Sequence, residues 1–444
     1  MGARRADRAA RTPRLSPSAR AVALEVIRRV ADEGAYSNRV LPAALARSEL
    51  DQRDRALATE LAYGTLRHVP ELDAAIGARA ARPIARMTPG ARAALRLGAY
   101  QLLHTRVPTH AAVGETVGVV VPRERGFVNA ILRRLAKEPP ELPAGGDHHA
   151  IGLRSGMAPW AVKELGKLLG PEEVERAALA FGERSPLALR VNTCRATVDQ
   201  VVDALRTAGL APEIGLVHPE AVLLRGGDPT SLPGWEEGWF SVQDQASAFV
   251  VETLAPEPGD RVLDVCAAPG GKTAFVACRI GGQGRVVAAD LHPDRTALIP
   301  AGLERLGLHA LVLVQDASMP AVRGSFDRVL VDAPCSGIGS ARRRPELLWR
   351  ARREELSRLA RLQVGIAAAA ADLLRPGGRL VYSVCTFPRA ETDAACDAIN
   401  RHRPELAPVE TPGPARSDPA PRHRLWPHRH GTDGMFVAAF QKST

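Results

Sequence analysis

The sequence predicts a multidomain protein: an all-α N-terminal domain, a small α+β module and a C-terminal α/β domain with a doubly wound, mostly parallel sheet. Three observations carry that reading. The 444 residues exceed one ordinary core, and 45% of them are apolar, so each part has enough to bury. Apolar residues recur at helical spacing over the first 140 positions. After Ser241 the rhythm changes to strand, loop and helix, repeated.

Residues 1–15 are an arginine-rich tail, expected to be disordered; they lack the apolar core and small-residue cleavage site of a signal peptide. The helical domain, 16–140, opens on Ser16-Pro17, a cap followed by a proline at the first helical position. Ala19, Ala23, Val26, Ile27 and Val30 follow at helical spacing until Gly34 closes the segment. Thr88-Pro89 opens a second helix with Leu95, Tyr100, Leu102 and Leu103. A third holds Phe127, Val128, Ile131, Leu132 and Leu135, flanked by Arg123, Arg125, Arg133 and Arg134. The proline- and glycine-rich stretch 138–147 supplies a linker, placed at 141–150. In the module 151–240, positions 188–191 and 221–224 read as strands and 197–208 as a helix. In the domain 241–444, strands are expected at 261–266, 285–290, 310–315, 328–333 and 379–385, and helices at 272–280, 294–306 and about 350–374. Positions 435–440 add a final antiparallel strand, and 404–427, with seven prolines, reads as a loop before it.

Fifty-nine basic residues against 49 acidic ones leave a charge of +10, nearly all of it from arginine. That excess suits a polyanionic partner, and a solvated arginine-rich face accounts for it equally well. No run of about 18 apolar residues occurs, so no membrane span is expected. The six cysteines contain no CxxC pair, which argues against a metal site and for reduced thiols in the cytoplasm.

The segment 264–273, Asp-Val-Cys-Ala-Ala-Pro-Gly-Gly-Lys-Thr, leaves a strand and opens a helix. A glycine turn there lets backbone N–H groups and a helix N-terminus approach a ligand. Its end resembles a phosphate-binding loop, but that motif needs glycine where Cys266 stands, so ATP chemistry is not expected. Asp290 ends the next strand, where a carboxylate can accept from both ribose hydroxyls. Asp316 follows the third strand, within reach of an adenine amino group. Two acids in register with the loop point to a bound adenosyl group; each alone would be read as a turn or helix cap.

Cys335 leaves the fourth strand in Asp332-Ala333-Pro334-Cys335, and Cys385 leaves the fifth in Tyr382-Ser383-Val384-Cys385. Ligands of open α/β sheets lie beyond the strands' carboxyl ends, so both thiols should face one crevice with the cofactor. Either cysteine alone would be a small buried hydrophobe. Together beside the loop they suit a specific chemistry. C5 of a pyrimidine attacks a sulfonium methyl only after a thiolate has added to C6. An acid such as Asp332 then stabilises charge at N3, and a base removes the C5 proton. Cys194, Cys266, Cys278 and Cys396 are read as structural.

These residues resemble the Sun/RsmB family of 16S rRNA cytosine-C5 methyltransferases. Segments 264–273 and 332–339 match its most specific motifs, supported by 190–193, 242–247, Arg344-Pro345-Glu346 with Trp349, and Asp433-Gly434-Met435-Phe436. The likeness covers nearly the whole chain apart from the tail and the proline-rich stretch. It implies a NusB-like first domain, a small RNA-binding module and a Rossmann-like domain using S-adenosylmethionine. It further implies Cys385 as nucleophile, Cys335 assisting release, and Asp332 and Lys272 in the active site. Cys266, Ala267, Ala268, Pro269, Gly270, Gly271, Lys272, Asp290, Asp316 and Asp332 would contact the cofactor. The partner would be 16S ribosomal RNA, methylated at position 967 in the customary RNA numbering, and the enzyme a metal-free monomer. Val384 stands where the family commonly has threonine, and Arg344 where it commonly has histidine. A non-enzymatic RNA-assembly factor and a DNA cytosine methyltransferase, in which Cys335 would attack, are the alternatives. The intact cysteine pair and glycine loop weigh against the first; Cys385 and the NusB-like domain weigh against the second.

Overall fold

In the computed structural model, which describes residues 18–444, the chain divides into two compact units. One reaches to Ala144 and takes in Arg344–Glu346; the other comprises Gly145–Arg343 and Leu347–Thr444.

The first unit is helical: Ala19–Glu33, Ser37–Ala46, Gln52–Arg67, Val69–Gly77, Pro89–His104, Thr109–Gly118 and Pro122–Lys137. The expected start at Ser16-Pro17 and the tail 1–15 lie outside the described residues. Within them Ser18 caps the first helix, accepting from the Ala21 N–H at 3.2 Å, and Gly34 at φ 73° closes it. Thr88 caps the Pro89 helix the same way. Val26, Ile27, Leu95, Leu132 and Leu135 are wholly buried, so the expected apolar stripes form one core. Glu346, also wholly buried, accepts from the backbone and hydroxyl of Ser37 at 3.0 and 2.7 Å. Of the arginines on the last helix, Arg125 donates to the Val120 carbonyl and Arg133 to Asn129, so part of that basic set is spent within its own unit.

The second unit opens with helices His148–Ser155, Pro159–Gly166 and Pro171–Gly182. A small antiparallel sheet follows: β1 (Leu187–Val191), β2 (Glu213–Ile214), β3 (Ala221–Leu224) and β4 (Phe240–Val242), in the order β2-β3-β1-β4. Its helix, Val198–Thr207, starts at a reciprocal cap between Thr197 and Gln200. The larger sheet contains β5 (Arg261–Asp264), β6 (Arg285–Asp290), β7 (Leu311–Val314), β8 (Phe326–Asp332), β9 (Leu374–Val384), β10 (Leu406–Pro408), β11 (Arg422–Leu425) and β12 (Met435–Lys442). The order is β10-β12-β9-β8-β5-β6-β7, with β11 beside β12. Strands β5 to β9 are parallel and β12 runs antiparallel to β9, as the sequence predicts. The chain winds β5-β6-β7 one way and then crosses to β8 on the other side of β5. The switch point therefore lies between β5 and β8.

Two expectations are corrected. The proline-rich stretch is not all loop: it contributes β10 and β11, which share the outer edge of β12. Pairing with a strand still to come is invisible locally, and Pro408 sits at the end of an edge strand, where its missing donor is tolerated. The six cysteines are not all reduced: Cys194 and Cys278 form a disulfide. Eighty-four residues separate them, and only the fold brings the turn after β1 onto the end of helix Gly271–Arg279.

That contact is reinforced by Phe275, whose ring lies 4.3 Å from the Arg190 guanidinium and 4.5 Å from that of Arg279. Arg190 is fully buried and donates to Gln243 at 2.6 Å; burial pulls its pKa down to about 10. Replacing Phe275 with leucine keeps apolar bulk but removes the ring faces from both cations. Phe275→Leu should cost about 1–3 kcal/mol, read as a lower urea midpoint of the transition that reports this unit.

Candidate active site

Asp264 ends β5, the chain turns through Gly270 at φ 102°, and helix Gly271–Arg279 begins. The turn is pinned to β6 by the Ala267 N–H donating to the Ala289 carbonyl at 2.8 Å. A cleft of about 140 Å³ lies over it, lined by Asp264, Cys266, Ala267, Ala268, Pro269, Gly271, Lys272, Asp332 and Arg343, with Val242–Asp244 and Ser247. Thr273 donates to one oxygen of Asp264 at 2.8 Å; the other oxygen is buried without a partner. Burial, added to by the nearby Asp332, pushes the Asp264 carboxyl up to about 7.

The other expected cofactor residues are placed differently. Asp290 stands behind the turn, accepting from the Ala268 and His292 N–H groups at 3.1 and 3.2 Å. Asp316 accepts from the N–H and hydroxyl of Ser318 at 2.8 and 2.7 Å, holding its own turn. Neither lines the cleft, and nor does Gly270. Burial raises the Cys266 thiol well above its ordinary range.

Cys335 and Cys385 meet, as the two strand tips require, with sulfurs 3.5 Å apart. Their loops are clipped together: the Gly339 N–H donates to the Cys385 carbonyl at 3.0 Å, and the Gly434 N–H to the Gly339 carbonyl at 2.8 Å. A Cβ at position 339 would overlap the Gly434 carbonyl. Beneath, wholly buried Glu391 accepts from the Ser336 N–H at 2.9 Å, its hydroxyl at 2.5 Å and Gln363 at 2.9 Å. Burial raises the Glu391 carboxyl. Lys272 donates to one oxygen of Asp332 at 2.6 Å, and Ser383 to the other at 2.7 Å.

The two thiols differ electrostatically. The hydrogen bond to Cys385, then burial, drives the Cys335 thiol far up, so it keeps its proton. Lys272 and Arg343 both interact with Cys385, whose thiolate would favour the charge on each. Burial opposes the charge on Lys272, but Asp332, with Asp264 and Cys385, outweighs it and the pKa of Lys272 rises.

Sequence reasoning gave no role to Arg343, Asp433, Asp244 or Glu391. Arg343 donates to Asp433 at 3.0 Å through Nε, and Asp433 donates its N–H to Asp244 at 3.2 Å. Burial and then Asp433 push Asp244 up to about 6. Asp433 lies in a flagged motif, but a pairing across 90 residues leaves no local signal. Also missed, in the helical unit, is a cluster of His68, Glu71 and His104 with ligand-type atoms within 4.8 Å of one another. Among the described residues no helix is long and apolar enough to cross a membrane.

A mixed α/β sheet with this glycine turn after β5 defines a Rossmann-like methyltransferase fold. Residues 251–441 match the family described as 16S rRNA methyltransferase RsmB/F, 17–137 the NusB family, and 157–230 the ferredoxin-like domain of RsmF/B-like methyltransferases. Rv1407 of Mycobacterium tuberculosis H37Rv is 40% identical over 98% of this chain and 99% of its own length. Ribosomal RNA small subunit methyltransferase B of Vibrio cholerae is 36% identical over 95% of this chain and 97% of its own. The crystal structure of PH0851 superimposes with a TM-score of 0.85 at 26% identity, covering 97% of this chain and 99% of that one. The chain belongs to the RsmB/F family of 16S rRNA methyltransferases. The methyl donor is S-adenosylmethionine, and the cleft fits it: an orphaned buried carboxylate oxygen suits the ammonium, and a glycine turn at a helix N-terminus lets backbone come close.

Two measurements follow from this geometry. Gly339→Ala should separate the two thiol loops, lowering both the melting temperature and methyl transfer, whereas Gly365→Ala, in open space inside the helix Leu356–Leu373, should leave methyl transfer unchanged and raise the melting temperature slightly. Asp264 holds its proton in the fold to about pH 7 but loses it near 4 when unfolded, so its contribution is complete below pH 4 and lost as pH rises through 7. The melting temperature of Asp264→Asn should therefore fall less between pH 6 and 8 than that of the parent chain.

Proposed function

We propose that the chain methylates C5 of an unpaired cytosine in 16S rRNA, at position 967, with Cys385 as nucleophile and Cys335 assisting release. The observation that carries this reading is the pair of sulfurs 3.5 Å apart at the tips of adjacent parallel strands, one kept protonated and the other facing two cations. A duplex shields the faces of a base, so the target is single-stranded or flipped out.

The Cys385 sulfur adds to C6, and the electron pair of the C5–C6 bond moves onto C5 and the ring. Both oxygens of Asp332 already accept, one from the Lys272 ammonium, so the proton at N3 comes from Lys272, and Asp332 orients it. This divides the acid role that the sequence gave to Asp332 alone. S-adenosylmethionine, when bound, supplies an electrophilic methyl group to C5. As the Cys385–C6 bond breaks, Cys335, at hydrogen-bond distance, gives its proton to the departing Cys385 sulfur and takes the C5 proton in its place. Asp264 would take the donor's ammonium, and the backbone of Cys266–Gly271 its carboxylate and sulfonium arm. Asp290 would take the ribose from behind the turn, and Asp316 the adenine edge.

The experiment uses RNA and methyl-labelled cofactor. Cys385→Ala should lose methylation and form no covalent protein–RNA adduct. Cys335→Ala should form the adduct and release it slowly, so that it accumulates on a denaturing gel. An adduct that persists in Cys385→Ala and vanishes in Cys335→Ala reverses the roles, and label found anywhere but in 5-methylcytidine overturns the reaction.

A further inference from the structure

A second cleft, of about 190 Å³, adjoins the first and shares Val242, Asp244 and Arg343 with it. Its far side is built by Arg184, by Pro186 and Leu187 at the start of β1, and by Gly226-Gly227 after β3. The Arg184 guanidinium packs over Gly226, with Nη2 about 3.0 Å from where a Cβ would stand. Gly227 has φ 125°, a backbone conformation that side chains disfavour. Among the described residues, neither glycine N–H has an acceptor and no carboxylate pairs with the exposed Arg184 guanidinium. The only acid in the lining, Asp244, already accepts from the Ala246 and Asp433 N–H groups beside Arg343. An exposed cation beside two unsatisfied N–H groups forms an anion-binding concavity. It shares walls with the cleft that holds Lys272 and Asp332.

We propose that this second cleft seats the RNA backbone next to the target base, with Arg184 and the N–H groups of Gly226 and Gly227 taking a phosphodiester. The inference rests on the function proposed above and adds a subsite to it. A singly charged phosphate fits one guanidinium and two N–H donors. The apolar wall of Pro186 and Leu187 gives the adjoining sugar a dry surface. Contacts of this kind position the strand without reading its sequence. Neighbouring-base identity therefore has little effect here, while salt has a large one.

The test compares the full chain with Arg184→Ala and Arg184→Lys. It measures steady-state methylation of an RNA fragment over a range of KCl, and binding of the same RNA without cofactor by fluorescence anisotropy. Arg184→Ala should raise KM for RNA about tenfold with kcat retained, and flatten the dependence of log affinity on log salt by about one unit. KM for S-adenosylmethionine should not move, and Arg184→Lys should recover most of the loss. The subsite is overturned if Arg184→Ala keeps the parent's RNA affinity and salt slope, or if it lowers kcat alone. If the parent chain binds RNA but transfers no methyl group, the proposed reaction fails. The anisotropy comparison still decides the subsite.

Discussion

The arrangement at the strand tips depends on a backbone clip with no side chain in it. Gly339 donates to the carbonyl of Cys385 and accepts from Gly434, so the loops leaving β8 and β9 and the start of β12 meet at one residue. A parallel pair of strands sets the spacing of its tips only roughly, because the residues beyond the ladder are free to splay. Here the clip fixes them, and the Glu391 network of Ser336, Gln363 and Tyr382 supports the first loop from below. Each donor in that buried network has an acceptor, the condition for a polar cluster inside a protein to hold one geometry.

Given that spacing, the chemistry follows from unequal surroundings. Two thiols in contact cannot both be ionised, and the hydrogen bond to Cys385, then burial, decides against Cys335. The cations on the other side come from different parts of the unit: Lys272 from the first turn of the cofactor helix, Arg343 from the loop after β8, held by Asp433 from the turn before β12. The same Lys272 joins Asp332 to the cofactor turn, so the thiol pair and the donor cleft share one ammonium.

What was legible in the sequence was local. Glycine turns, caps and β-branched runs declare themselves within a few residues, and the strands at 221–224 and 285–290 match residue for residue. Cys335 and Cys385 were legible because each follows a strand whose carboxyl end must face the crevice. What stayed hidden arises from distant pairings. The strands β10 and β11 exist only because β12 offers an edge. Arg343 and Asp433 acquire meaning only when 90 residues of chain bring them together, and the Cys194–Cys278 bond needs 84. Asp290 and Asp316 were chosen by position, yet position could not say that backbone N–H groups already engage both.

The bond between Cys194 and Cys278 has a mechanical consequence. It rivets the turn after β1 to the far end of the helix that begins at the cofactor loop, so this part of the small sheet and that helix travel as one piece. Any opening that admits a strand of RNA must then hinge elsewhere.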